Sequence, residues 1–140
     1  MGKFGCTCGN IISDVIAPND VTGFVLSDKS SEIFCESISD VIGDFFNHFN
    51  ADTIEEWRAK HFNEMYPTSE PLGEMIHDVL FSRLMDVTLG MFECDECGRL
   101  WVQESPTVNK YKAYSPDDPL GERAKILGLN QDAGSMPDSE

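Results

Sequence analysis

Basic side chains are scarce in this sequence: 10 Lys and Arg stand against 25 Asp and Glu, giving a formal net charge of −15. Such a balance repels nucleic-acid phosphates and anionic lipid wherever no local basic patch offsets it, so direct binding to DNA, RNA or a membrane surface is disfavoured. Long apolar runs are missing as well. No segment approaches the roughly 20 uncharged residues of a membrane span, and Met1-Gly2-Lys3-Phe4-Gly5-Cys6 contains no apolar stretch of the signal-peptide kind. The expected location is the cytoplasm. Gly2 does not open a myristoylation motif, because Cys6 stands where Ser or Thr is required. There is no internal repeat and no nucleophile–base constellation. Glu74-x-x-His77 has the spacing used in di-iron bundles, but that chemistry needs the motif twice plus two further glutamates, and one copy is present. His48 and His61 fall at the ends or inner flanks of helices and receive no role. An enzyme is therefore not expected.

What the chain does have is cysteine in a pattern. Its five cysteines are odd in number and fall as two close pairs and a singleton; in a reducing compartment that favours a metal over disulfides. Cys94-x-x-Cys97-Gly98 has the spacing of a zinc knuckle, in which two thiolates on one tight turn reach a tetrahedral ion and the glycine supplies the positive φ. Cys6-x-Cys8-Gly9 is a tighter variant with the same trailing glycine. Cys6, Cys8, Cys94 and Cys97 are thus expected to hold one structural Zn²⁺, since a closed shell of four thiolates leaves no open position for a substrate. The long stretch between Cys8 and Cys94 does not forbid this: each doubling of a flexible loop costs about 0.6 kcal/mol, against roughly 10–16 kcal/mol of apparent binding energy for a structural zinc. Iron in a rubredoxin-like site is the competing metal, although such sites pair two Cys-x-x-Cys turns. Cys35 falls on an apolar helix face and is expected to be a buried, inert thiol.

The remaining pattern is α+β. Short strands flank Cys6–Cys8, and Gly23 to Ser27 reads as another strand. From Ser31, Phe34, Cys35, Ile38, Val41, Ile42, Phe45, Phe46 and Phe49 recur at helical spacing. The opposite side of that helix carries Glu32, Glu36, Asp40 and Asp44 at successive i+4 steps, a stripe of one sign. A second helix is expected from about Asn50 or Asp52 with Ile54, Trp57, His61, Phe62 and Met65 facing inward and a Glu56–Lys60 pair outside. A third follows Ser69, apolar nearly all round and so expected to be the most buried. Strands return with Met91 to Gln103 and Val108 to Tyr114. The predicted architecture is a small antiparallel zinc-bound sheet formed from both ends of the chain, with an inserted three-helix unit (about 31–91) packed against it. Residues 1–128 form one domain, a short helix is possible at Glu122 to Leu127, and 129–140 is an acidic tail expected to be disordered.

The run Cys94-Asp95-Glu96-Cys97-Gly98-Arg99-Leu100-Trp101-Val102 resembles the second knuckle and following strand of zinc-ribbon proteins. The whole is similar to small uncharacterised bacterial proteins with an N-terminal Cys-x-Cys-Gly-Asn and a later Cys-x-x-Cys-Gly-Arg-Leu. This resemblance implies a zinc site and little else. The functional expectation is a non-enzymatic acidic interaction module, an immunity protein or inhibitor of a basic nuclease-like partner, docking through Glu32, Glu36, Asp40 and Asp44. The alternatives are a nucleic-acid-associated zinc ribbon using Arg99, Trp101, Lys110 and Lys112, with Tyr111 and Tyr114 adding aromatic surface, and a rubredoxin-like iron electron carrier.

Overall fold

A computed structural model describes residues 2–117 and 125–127. The elements run β1 (Lys3–Gly5), β2 (Ile11–Ser13), β3 (Thr22–Val25), α1 (Asp28–Asn50), α2 (Ile54–His61), α3 (Leu72–Val87), β4 (Leu89–Glu93), β5 (Leu100–Ser105) and β6 (Val108–Tyr114). The chain is α+β and divides into two compact units, residues 26–88 and the two flanking segments together.

In the helical unit, α1 starts about a turn earlier than the apolar pattern suggests, because Ser27 Oγ accepts from Ser30 N at 3.1 Å and caps it. Val41, Phe45, Trp57, Met75 and Val79 form the buried core, with Phe45 edge-on to Trp57 at 5.1 Å. Three sequence expectations fail here. α3 is not buried nearly all round: it buries Met75 and Val79 while Phe81 is exposed, because within this unit it packs along one side, on α1. Met65 is 90 % exposed, since α2 ends at His61, Phe62 turns extended, and the helical phase that would have carried Met65 inward is lost. Cys35 is exposed, on the flank of a 23-residue helix whose burial narrows to Val41 and Phe45.

The flanking segments build two antiparallel sheets instead of the single one expected. β1 and β2 pair only with each other, Phe4 opposite Ile12, while β3-β4-β5-β6 form a four-stranded sheet in that order. The N-terminal hairpin is fixed to this sheet by Phe4, whose ring stacks on Phe92 at 5.1 Å and meets Trp101 and Tyr111 edge-on at 5.0 and 5.2 Å. Cys6, Ile12, Val21 and Cys94 are the buried centre of this unit. Glu93, the charged residue closing β4, is 3 % exposed, and its carboxylate accepts from the backbone N–H of Ile126 and Leu127 at 3.0 and 2.8 Å. Lys125 to Leu127 are not helical; the rest of the expected 122–127 helix and the 129–140 tail lie outside the described residues.

Candidate metal centre

Each half of the site is a tight turn between two strands. In the first, between β1 and β2, Cys6 N donates to Asn10 O at 2.9 Å and Gly9 N to Cys6 O at 3.0 Å. In the second, between β4 and β5, Gly98 N donates to Cys94 O at 2.7 Å and Cys94 N to Arg99 O at 3.0 Å. Both turns close on a left-handed residue, Gly9 at φ +97° and Gly98 at φ +66°, where a side chain would be strained.

The Phe4 contacts bring the turns face to face. The Sγ atoms of Cys6, Cys8, Cys94 and Cys97 all lie within 4.8 Å of one another, with Cys6–Cys97 at 3.6 Å and Cys8–Cys94 at 3.7 Å. None is in a disulfide. A tetrahedral ion with metal–sulfur bonds of about 2.3 Å has sulfur–sulfur edges of about 3.8 Å, so these separations fit one ion in a four-thiolate shell. The donors around the sulfurs fit it too. Cys6 Sγ receives the N–H of Cys8, Cys8 Sγ that of Asn10, and Cys97 Sγ that of Arg99. Asn10 Nδ2 stands 3.6 Å from Cys94 Sγ and 3.1 Å from Asp95 Oδ1, tying the first turn to the second. Trp101 Nε1 is buried without a regular hydrogen-bond partner, yet it stabilises the Cys6 thiolate; we read this as a long indole N–H···S contact.

Without a cation the four thiols oppose one another. Burial pushes the Cys6 thiol up, but the N–H of Cys8, the Trp101 indole and the neighbouring thiols outweigh it and bring it down to about 6. Burial, joined by Cys94, Cys6 and Cys8, pushes Cys97 up to about 12 against the Arg99 N–H. Cys8 is raised: its Asn10 N–H favours the thiolate but is overcome by burial and by Cys6 and Cys94. A divalent cation removes this conflict by favouring all four thiolates together. The cluster can therefore hold a metal ion.

The other sequence candidates separate. Glu32, Glu36 and Asp40 are exposed on α1. Asp44 is partly withdrawn: Lys60 Nζ donates to it at 2.8 Å, with His48 and His61 at 3.7 and 3.9 Å, and the Lys60 hydrogen bond and charge hold its carboxyl below 3.8. Lys60 thus reaches across to α1 in place of the expected Glu56 pair, and Arg58 bonds Glu55. Trp101 and Tyr111 are packed around Phe4, so the aromatic surface left outside is Tyr114. Arg99 is engaged by Thr7 and Ser115. His77 lies exposed beside Asp78. Asn10 and Glu93 escaped the sequence reading. Asn10 stands directly after Cys-x-Cys-Gly, and Glu93 is the lone charge in β4 immediately before Cys94, so position relative to the cysteines was the available signal.

The fold and cluster together define an α+β protein with a four-cysteine cluster, able to hold a metal ion, assembled from both flanks of a helical insertion. The family described as Domain of unknown function (DUF8617) matches residues 2–118, and the chain belongs to it. No curated protein and no solved structure matches the chain. Among the described residues, no helix is long and apolar enough to cross a membrane.

Proposed function

We propose that the cluster carries one structural Zn²⁺ and that the chain is a non-catalytic interaction module whose acidic α1 face docks a basic protein. The observation that carries the metal reading is the gathering of four unbonded sulfurs within 4.8 Å of one another, two of the contacts across the turns being 3.6 and 3.7 Å, with peptide N–H groups on three of them. Zinc is favoured over iron because the first turn is Cys6-x-Cys8, whereas rubredoxin-like iron sites pair two Cys-x-x-Cys turns. The partner reading is supported by the −15 net charge and by Glu32, Glu36 and Asp40 standing exposed at i+4 steps along α1. A basic toxin-like enzyme, neutralised by carboxylates presented to its cationic surface, is the partner this charge pattern suits.

Native mass spectrometry of gently purified protein tests the metal. One zinc per chain is expected, and Cys94→Ser should abolish it; a red sample carrying iron, or loss of four protons as two disulfides, would replace the zinc reading. The partner reading is tested on whatever basic protein co-purifies. Glu32→Gln, Glu36→Gln and Asp40→Asn combined should slow association and flatten its salt dependence, and unchanged kinetics would remove the α1 face from the reading.

A further inference from the structure

The four cysteines of the cluster do not stand alike toward solvent. Cys6 and Cys94 are buried, at 6 % and 0 % exposure, and Cys97 is half-buried, while Cys8 is exposed. The thiolate is both the metal ligand and the nucleophile, and its reaction with an oxidant follows access. Cys8 is therefore the ligand that an oxidant arriving from solvent meets first.

The outcome depends on which sulfur lies beside it. Cys94 Sγ is 3.7 Å from Cys8 Sγ, and Cys97 Sγ is 3.6 Å from Cys6 Sγ. Four cysteines allow three connectivities. One of them joins Cys6 to Cys8, which a single residue separates, and a disulfide closed over so short a loop is strained. The other two cross from turn to turn, and the observed contacts select Cys8 with Cys94 and Cys6 with Cys97. That pairing joins sulfurs already in contact, so it preserves the face-to-face turns that Phe4 holds together. Cys35 is exposed too, but the helical unit holds no other thiol with which it could pair.

We propose that the cluster is a switch sensitive to hydroperoxides: oxidation starting at Cys8 forms the cross-turn disulfides Cys8–Cys94 and Cys6–Cys97, releases the zinc and leaves the two turns joined covalently. This rests on the zinc reading and adds the condition under which zinc is given up. The Cys8 thiolate attacks the terminal oxygen of the hydroperoxide; an S–O bond forms, the O–O bond breaks, and the departing alkoxide or hydroxide takes a proton from water. The Cys94 thiolate then attacks the Cys8 sulfur; the S–S bond forms, and the oxygen leaves as hydroxide and is protonated to water. Two thiolates have lost two electrons and one hydroperoxide has gained them. The same two steps with a second hydroperoxide join Cys6 to Cys97, and an ion deprived of its thiolates is released.

The full-length protein carrying Cys35→Ser, reduced and loaded with zinc, is treated with hydrogen peroxide beside a coloured zinc indicator. Stoichiometric release of zinc is expected, with a chain lighter by four hydrogens and tandem mass spectrometry showing Cys8–Cys94 and Cys6–Cys97. At short times a cyclic dione, which traps sulfenic acid, should label Cys8 ahead of the other three. The oxidised chain should keep its β-sheet spectrum, and dithiothreitol with zinc should restore the loaded form. Zinc retained under peroxide, a Cys94–Cys97 bond, first labelling at another cysteine, or release only with sulfinic acid would each overturn the switch and leave the zinc reading standing. A reduced chain that takes up no zinc would overturn both.

Discussion

Asn10 donates toward Cys94 Sγ and to Asp95, so a single amide spans the two cysteine turns. Groups that orient a metal ligand from behind are typically worth a factor of about 10–100 in metal affinity. Asn10→Ala is therefore expected to weaken metal retention about tenfold or more in a chelator competition, with the metal stoichiometry unchanged at saturation. His61 sets a second expectation, in pH. Its folded pKa lies below 6.5, so as pH falls through that value the unfolded chain takes up a proton that the folded chain refuses. Stability of the helical unit is then complete above about pH 6.5 and declines as pH drops toward the folded pKa. Thermal melting between about pH 7.5 and pH 5 should show this decline, and His61→Gln should flatten it. A variant with an undiminished slope would assign the titration to another group.

At the level of elements, the two turns matter more than the strands they join. Gly98 sits at φ +66° and bonds back to Cys94 O, so Gly98→Ala should cost roughly 1–2 kcal/mol and Gly98→Asn less, because asparagine tolerates the left-handed region. Denaturant unfolding of the metal-loaded protein checks the order of the two variants. Glu93 performs a different task at the end of β4, holding the backbone of Ile126 and Leu127 on its buried carboxylate. Glu93→Ala leaves those N–H groups without their acceptor, at about 1–3 kcal/mol, and protease sites around Lys125 should become accessible in limited digestion. Cleavage as slow as in the parent chain would show that the segment is anchored by other contacts. Among the helices, periodicity located all three but misjudged what each covers. Phe46, Phe49 and Phe81 belong to apolar stripes and are still about half exposed.

On the scale of the whole molecule, the two units have separate cores and one tryptophan each: Trp57 beneath Phe45, and Trp101 beside Phe4 and Cys6. Metal removal should act on one of them. Chelation is expected to abolish the Trp101 signal and the β-sheet spectrum while Trp57 and the helical signal persist, a separation that Trp57→Phe and Trp101→Phe variants make visible by fluorescence. Simultaneous loss of both signals would mean that the helical unit depends on the metal as well.

Sequence spacing alone determined which four cysteines form the cluster, because two thiols on a glycine-closed turn are a local geometric signature. It also determined the α+β class, because helical and strand periods are written in adjacent residues. Tertiary structure decided the rest. Phe4, meeting Phe92, Trp101 and Tyr111 from the far end of the chain, brings the turns together, and no local pattern encodes that contact. Lys60 crosses to Asp44 instead of pairing along its own helix, and Glu93 is buried on peptide groups more than thirty residues ahead. These choices depend on which surfaces meet after the chain has turned, and burial and polar satisfaction are properties of that meeting, not of any single stretch of sequence.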